Sequence, residues 1–226
     1  MSTQSRDYHD YVFRDGKLVS EFDAMYRHSD SVPWHQDEQA GWLDVRLTLE
    51  MLRDLAPFSE IHDFGCGLGY YLSILQAKVA MSGARCVGYD VADSACEKAR
   101  ALFPQNTFRQ LDLMQAQSVT PLLLPAGPPN RLFVIRGTLW YVVPKLTQVL
   151  ENLSNALGAQ DHLLVVQNFP PLDKPFVGKD VLPDHSALVH HFSEHFALRR
   201  HFWYEDATRD ANDNWFIGLF SNRSFQ

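Results

Sequence analysis

The sequence predicts an α/β fold: a seven-stranded, mostly parallel sheet with an antiparallel last strand and helices on both faces. Three observations predict it. Short apolar runs alternate with segments of helical period through most of the chain. Three glycines at alternate positions, Gly65, Gly67 and Gly69, directly follow the first of those apolar runs. The last two apolar runs are joined by the polar stretch EDATRDAND, with no helix between them. Strand–helix alternation requires right-handed crossovers and therefore a parallel sheet. A helix-free connection pairs its strands antiparallel.

Each element has its own signal. Trp42, Val45, Leu49, Leu52 and Ala56 recur at steps of three and four, which predicts a helix over 38–56 closed by Pro57. EIHDF (60–64) reads as the first strand. Leu72, Leu75 and Val79 follow at helical spacing, and RCVGYD (85–90) is the second strand. A helix over 93–103 opens with Ser94 and Glu97 at capping-box spacing. TFRQLD (107–112) is the third strand, and the proline-rich 117–130 is a loop. RLFVIRG (131–137) is the fourth strand. Pro144 opens the next helix and Gly158 ends it. DHLLVVQNF (161–169) is the fifth strand. A second proline-rich loop (170–183) and a helix reaching about Phe196 precede the last two strands, ALRRHFWY and NWFIGLF.

Composition narrows the function. The chain has 226 residues, 46% of them hydrophobic, enough for one well-packed domain. Its net charge of −7 argues against nucleic-acid binding, which needs clustered Lys and Arg. No stretch approaches a membrane span and the polar N-terminus is not a signal peptide, so no membrane partner and a cytoplasmic location are expected. Cys66, Cys86 and Cys96 are an odd number without metal-ligand spacing, and read as reduced thiols. No metal is expected.

In open α/β sheets, ligands bind beyond the carboxyl ends of the strands. The glycine loop stands there. The dinucleotide fingerprint G-x-G-x-x-G/A fits Gly65 and Gly67, but Tyr70 holds the third glycine's place. The spacing Gly65-Cys66-Gly67-Leu68-Gly69, preceded by Asp63, resembles the cofactor loop of class I S-adenosylmethionine-dependent methyltransferases. That resemblance implies a Rossmann-like fold, S-adenosyl-L-methionine as cofactor, and a set of roles. The loop passes the methionine part of the cofactor, with Asp63 toward its amino group. Asp90, followed by Val91, closes the second strand on the ribose hydroxyls; a carboxylate's two acceptor oxygens suit a diol. Asp112 and Leu113 hold the adenine edge. Arg136 and Gly137 end the fourth strand beneath the methyl group, and Trp140 and Tyr141 flank the acceptor.

The stretches MYRHSDSVPWHQDE (25–38) and RGTLWYV (136–142) resemble the small-molecule branch that includes nodulation-type sugar N-methyltransferases. Where that branch commonly has an acidic residue after the fourth strand, this chain has Gly137. The reading is methyl transfer to a hydroxyl or amine of a small molecule, leaning to a sugar or glycan precursor. Its rivals are a non-catalytic cofactor-binding subunit and a protein methyltransferase. A monomer or homodimer is expected.

An amine acceptor needs only to be unprotonated, whereas a hydroxyl needs a base. His191 and His195, in and beside the apolar stripe Leu188, Phe192, Phe196, are the candidate bases. Residues 1–37 carry six aromatic residues without a long period. They read as a lid segment, with Tyr26 and Trp34 over the cofactor; residues 38–226 form the methyltransferase domain.

Overall fold

The computed structural model describes residues 7–115, 129–206 and 213–223. The N-terminal segment contains α1 (His9–Val12), a two-stranded hairpin of β1 (Phe13–Arg14) and β2 (Lys17–Leu18), α2 (Phe22–His28) and a 3-10 stretch, Pro33–Gly41. Then come α3 (Leu43–Leu52), β3 (Phe58–Phe64), α4 (Tyr70–Val79), β4 (Ala80–Asp90), α5 (Asp93–Leu102) and β5 (Thr107–Gln110). The second half holds β6 (Arg131–Arg136), α6 (Leu139–Val142), α7 (Leu146–Ala156), β7 (His162–Phe169), α8 (His185–Phe192), β8 (Phe196–Asp206) and β9 (Asp213–Asn222).

The main sheet has seven strands in the order β5-β4-β3-β6-β7-β9-β8. The first five in sequence pair parallel; β9 pairs antiparallel with both β7 and β8. Strand order reverses between β3 and β6, so a crevice opens there at the carboxyl ends. The strands are apolar on both faces, as a covered parallel sheet must be. Phe133, Ile135, Leu163 and Val165 pack with α6, α7 and α8. Their alternates Leu132, Val134, Leu164 and Val166 pack with α3, α4 and α5.

Several boundaries differ from expectation, for local reasons. The first long helix begins at Leu43, because 33–41 is wound as a 3-10 stretch instead. The capping box at Ser94 does not form. Ser94 lies inside α5, and its N–H and Oγ donate to Asp23 Oδ1 and Asp23 O of the N-terminal segment, at 2.9 and 2.8 Å. A short helix, α6, precedes the turn that carries Pro144, and α7 starts only at Leu146. The helix expected to reach Phe196 stops at Phe192, where Ser193 N–H donates to both Val189 O and His190 O and tightens the last turn. Phe196 is buried as the first residue of β8. Residues 116–128, the core of the first proline-rich loop, lie outside the described residues.

Opposite the crevice, Arg131 and Asp161 lock the amino ends of β6 and β7. Arg131 Nη2 lies 2.5 Å from Asp161 Oδ2, both side chains are buried, and Gly158 N–H also donates to that carboxylate at 2.7 Å. Asp161→Ala would leave a buried guanidinium without its carboxylate. It is expected to lower unfolding free energy by about 3–5 kcal/mol in urea titrations, the scale for breaking one side of a buried pair. Ligand binding at the far end of the strands should persist.

Candidate functional site

The site grows from the turn after β3. Gly65 has φ +77, and a Cβ there would lie 2.1 Å from Thr138 Oγ1, so no side chain fits. Its N–H donates to Tyr89 O at 2.7 Å, and Cys66 N–H donates to the same oxygen at 2.9 Å. Gly67 N–H donates to Asp90 Oδ2 at 2.9 Å, which ties the loop to the end of β4. Gly69 has φ +81 and starts α4; a Cβ on it would stand 2.6 Å from the Phe108 ring. Gly67 has φ +53, and a Cβ on it would stand 2.4 Å from Gln36 Nε2, so all three glycines combine a positive φ with close packing.

Thr138 faces this loop from β6's end, its Oγ1 donating to Phe64 O and Arg136 O at 3.3 and 3.1 Å. Gln36 faces it from the N-terminal segment. Gln36 Oε1 accepts from Leu68 N–H at 2.8 Å, and its Nε2 donates to Tyr26 Oη at 3.2 Å. Lys98 Nζ donates to Tyr26 O. The segment is thus pinned to the N-terminal turns of α4 and α5, at Gln36 and Asp23 respectively. Its Met25 and Tyr26 are buried with Leu68, Ala92 and Ala95. Trp34 and His35 both have left-handed backbone, φ 52 and 48. Each such non-glycine residue costs of order 1–3 kcal/mol, and such strain concentrates at ligand clamps.

Beneath the segment lies a cavity of about 1000 Å³. That is the upper end of the range for small-molecule sites, roughly 300–1,000 Å³. Of the sequence-predicted residues, Tyr26, Trp34, Asp63, Gly65, Cys66 and Asp90 line it, as do Val91, Asp112, Leu113, Arg136 and Gly137, and the acceptor candidates Trp140 and Tyr141. Gly67 and Gly69 do not line it: Gly67 packs under Gln36 and Gly69 against Phe108. His191 and His195 are not brought to the cavity either. His191 Nε2 sits 3.3 Å from Val181 O beside a separate hollow. His195 falls beyond the end of α8, where helical spacing no longer aims it. Neither reaches the cavity where the base role expected from periodicity would place it: His191 lies within α8 but faces Val181, and His195 lies past the helix end at Phe192.

Three buried charges dominate the cavity floor. Burial pushes the Asp63 carboxyl up to about 7, against the pull of the Arg136 guanidinium. Burial raises Asp90 to about 6, even though the N–H groups of Ala92 and Gly67 favour its charged form. Arg136 donates to Asp44 Oδ2 from Nη2 and Nε at 2.7 and 3.1 Å. Its guanidinium carbon lies 4.9 Å from the Tyr71 ring centre, 5.5 Å from Trp42 and 5.7 Å from Trp215. Cations stack favourably on such rings.

The floor therefore offers a carboxylate and a guanidinium side by side, chemistry that suits an amino-acid head group. One strand over, Asp90 is a buried carboxylate suited to a diol. The apolar Val91, Leu113 and Val142 line the cavity beyond it. These donors and acceptors fit S-adenosylmethionine. Sequence reasoning missed Gln36, Thr138, Asp44 and Trp215. Thr138 stands beside Gly137 and was reachable from it; Asp44, Gln36 and Trp215 reach the site only through folding.

No family model matches the chain, and no curated protein matches it. Solved structures do. One, solved in work on the conversion of a disulfide bond into a thioacetal group during echinomycin biosynthesis, superposes with TM-score 0.65 at 16% identity, covering 89% of this chain and 90% of that one. A methyltransferase dependent on S-adenosylmethionine from Anabaena variabilis gives 0.65 at 17% identity, covering 89% and 92%. The N-methyltransferase NodS from Bradyrhizobium japonicum, in complex with S-adenosyl-L-homocysteine, gives 0.61 at 14%, covering 86% and 93%. The chain has the Rossmann-like fold of the S-adenosylmethionine-dependent methyltransferases.

Proposed function

We propose that this chain is an S-adenosylmethionine-dependent methyltransferase. It acts on a hydroxyl or amine of a small molecule, a sugar or glycan precursor foremost. One observation carries the reading: a single cavity gathers Asp63, Arg136 and Asp90 at adjoining strand ends, directly around the glycine turn. The fold shared with an N-methyltransferase solved with the demethylated cofactor supports it.

In this reading Asp63 takes the cofactor's ammonium, Arg136 its carboxylate and Asp90 its ribose hydroxyls. Cys66 and the loop backbone pass the methionine chain, while Val91, Asp112 and Leu113 border the adenine. The cofactor supplies a methyl group already activated on a sulfonium. The protein's share is alignment and exclusion of water. Gly137, Trp140 and Tyr141 bound the acceptor side. Residues 1–37 act as the lid over residues 38–226, with Tyr26 and Trp34 as the lid's side chains over the cofactor and Gln36 and Asp23 as its pins.

The proposal is tested first by calorimetry with S-adenosylhomocysteine. Wild type should bind it, and Asp90→Ala should lose about 2–3 kcal/mol of binding, the scale for two charge-assisted hydrogen bonds. Unchanged affinity would remove Asp90 from the site.

Asp63 makes a pH prediction. Its folded carboxyl titrates near 7 and its unfolded one near 3.8. The folded state therefore holds the proton more tightly, so this group's stabilising contribution is present below about pH 4 and is lost as pH rises to about 7. In ligand-free protein, the stability difference between Asp63→Asn and wild type should shift in the variant's favour across that window and level off above it. The ammonium needs the ionised form, so wild-type cofactor affinity should begin to fall as pH drops below 7, whereas the variant's should hold until Asp90 titrates near 6.

The lid is read by limited trypsin digestion. Cleavage after Arg27, whose side chain is exposed, should slow when the cofactor is added. Gln36→Ala should weaken that protection. Equal cutting with and without saturating cofactor would exclude lid closure.

A further inference from the structure

We propose that the acceptor is uncharged or cationic and presents a flat apolar face, and that this cavity turns anionic acceptors away; the proposal rests on the methyl-transfer reading above. Among the described residues lining the cavity, Arg136 is the only Lys or Arg. In the reading above it is taken by the cofactor's carboxylate on one side and by Asp44 at 2.7 Å on the other, with Trp42, Tyr71 and Trp215 around it. Five carboxylates line the same cavity: Asp23, Glu38, Asp63, Asp90 and Asp112.

Once Asp63, Asp90 and Arg136 are assigned to the cofactor, the remaining walls are aromatic and acidic. Trp34 stands 6.0 Å from Tyr141, Phe22 4.9 Å from Tyr141, and Tyr8 5.6 Å from Trp34. Such rings accept the apolar face of a sugar or an aromatic body, and they attract cations. Asp23 is paired with Arg27 at 2.8 Å, whereas Glu38 is exposed at the rim, 3.7 Å from the His35 imidazole. An incoming carboxylate or phosphate would shed its hydration, meet no uncommitted guanidinium or ammonium among these residues, and face Glu38. The sulfonium's positive charge offers no lasting compensation, because it disappears in the transfer. By this logic a free sugar, an amino sugar or an aryl glycoside fits, and a sugar phosphate does not.

Three matched probes test this on the full chain saturated with S-adenosylhomocysteine: phenyl β-D-glucoside, phenyl β-D-glucosaminide and phenyl β-D-glucuronide. They share an aromatic group and a sugar and differ in charge. The glucoside and glucosaminide are expected to bind at least tenfold more tightly than the glucuronide in calorimetric titrations. Glu38→Lys should narrow that gap at least threefold by tightening the glucuronide, with affinity for S-adenosylhomocysteine unchanged. A glucuronide that binds as tightly as the glucoside overturns the proposal. So does failure of all three probes on protein that has taken up S-adenosylhomocysteine. Uptake is measured first in the same cell, so a protein that takes up none overturns the cofactor reading itself.

Discussion

The ligand end of this molecule hangs on one carboxylate. Asp90 accepts from Gly67 N–H through one oxygen and from Ala92 N–H through the other, each at 2.9 Å. The first bond fixes the glycine loop after β3, and the second fixes the entry to α5. Two adjacent strands thus end in one rigid frame. The frame works only because the loop has almost no side-chain volume: Thr138, Gln36 and Phe108 come where Cβ atoms would otherwise stand. The glycines are shaped as much by protein neighbours on three sides as by any ligand.

Buried charge is the cost of such a site. Asp63, Asp90 and Arg136 are held at low exposure, and the two acids are pushed toward neutrality by that burial. Asp44 and three aromatic rings offset the cost for Arg136. Two backbone N–H donors at Asp90 and the Arg136 charge near Asp63 offset burial of the acids only in part, so a ligand that brings an ammonium and a diol to them adds to that compensation. Electrostatic preorganisation of this kind is destabilising to the fold and favourable to binding. The sheet absorbs it, because the strands' opposite ends are closed by Arg131 and Asp161.

The N-terminal segment shows where pattern reading loses its grip. Its helices span four and seven residues and its strands two each. None is long enough to display a period. One local signal was there: Asp15-Gly16 between Phe13-Arg14 and Lys17-Leu18 is a two-residue hairpin loop with positive φ at both positions. The pins at Gln36 and Asp23 had no such signal. Gln36 meets Leu68 across 32 residues, and Asp23 meets Ser94 across 71. Asp23 also displaced the expected local cap, since an acceptor from outside satisfied the amide that a capping box would have served.

Sequence alone determined the strand–helix alternation, the parallel sheet and the antiparallel ending, because periodicity and connection type are local properties. It also pointed to Asp63, Asp90, Asp112 and Arg136 as neighbours, and they line one cavity, because in a parallel sheet every strand delivers its last residues, or those just past its end as with Asp112 after Gln110, to one edge. Tertiary structure alone decided which helix residues reach that edge. His191 and His195 fitted an apolar stripe, yet His191 turns to Val181, the helix ends at Phe192 before His195, and neither lines the cavity. Trp42 and Trp215, which sequence reading had assigned only to a helix period and a strand, instead enclose Arg136. A helix's facing depends on where its last turn closes and what it packs against, and those contacts join residues far apart in the chain.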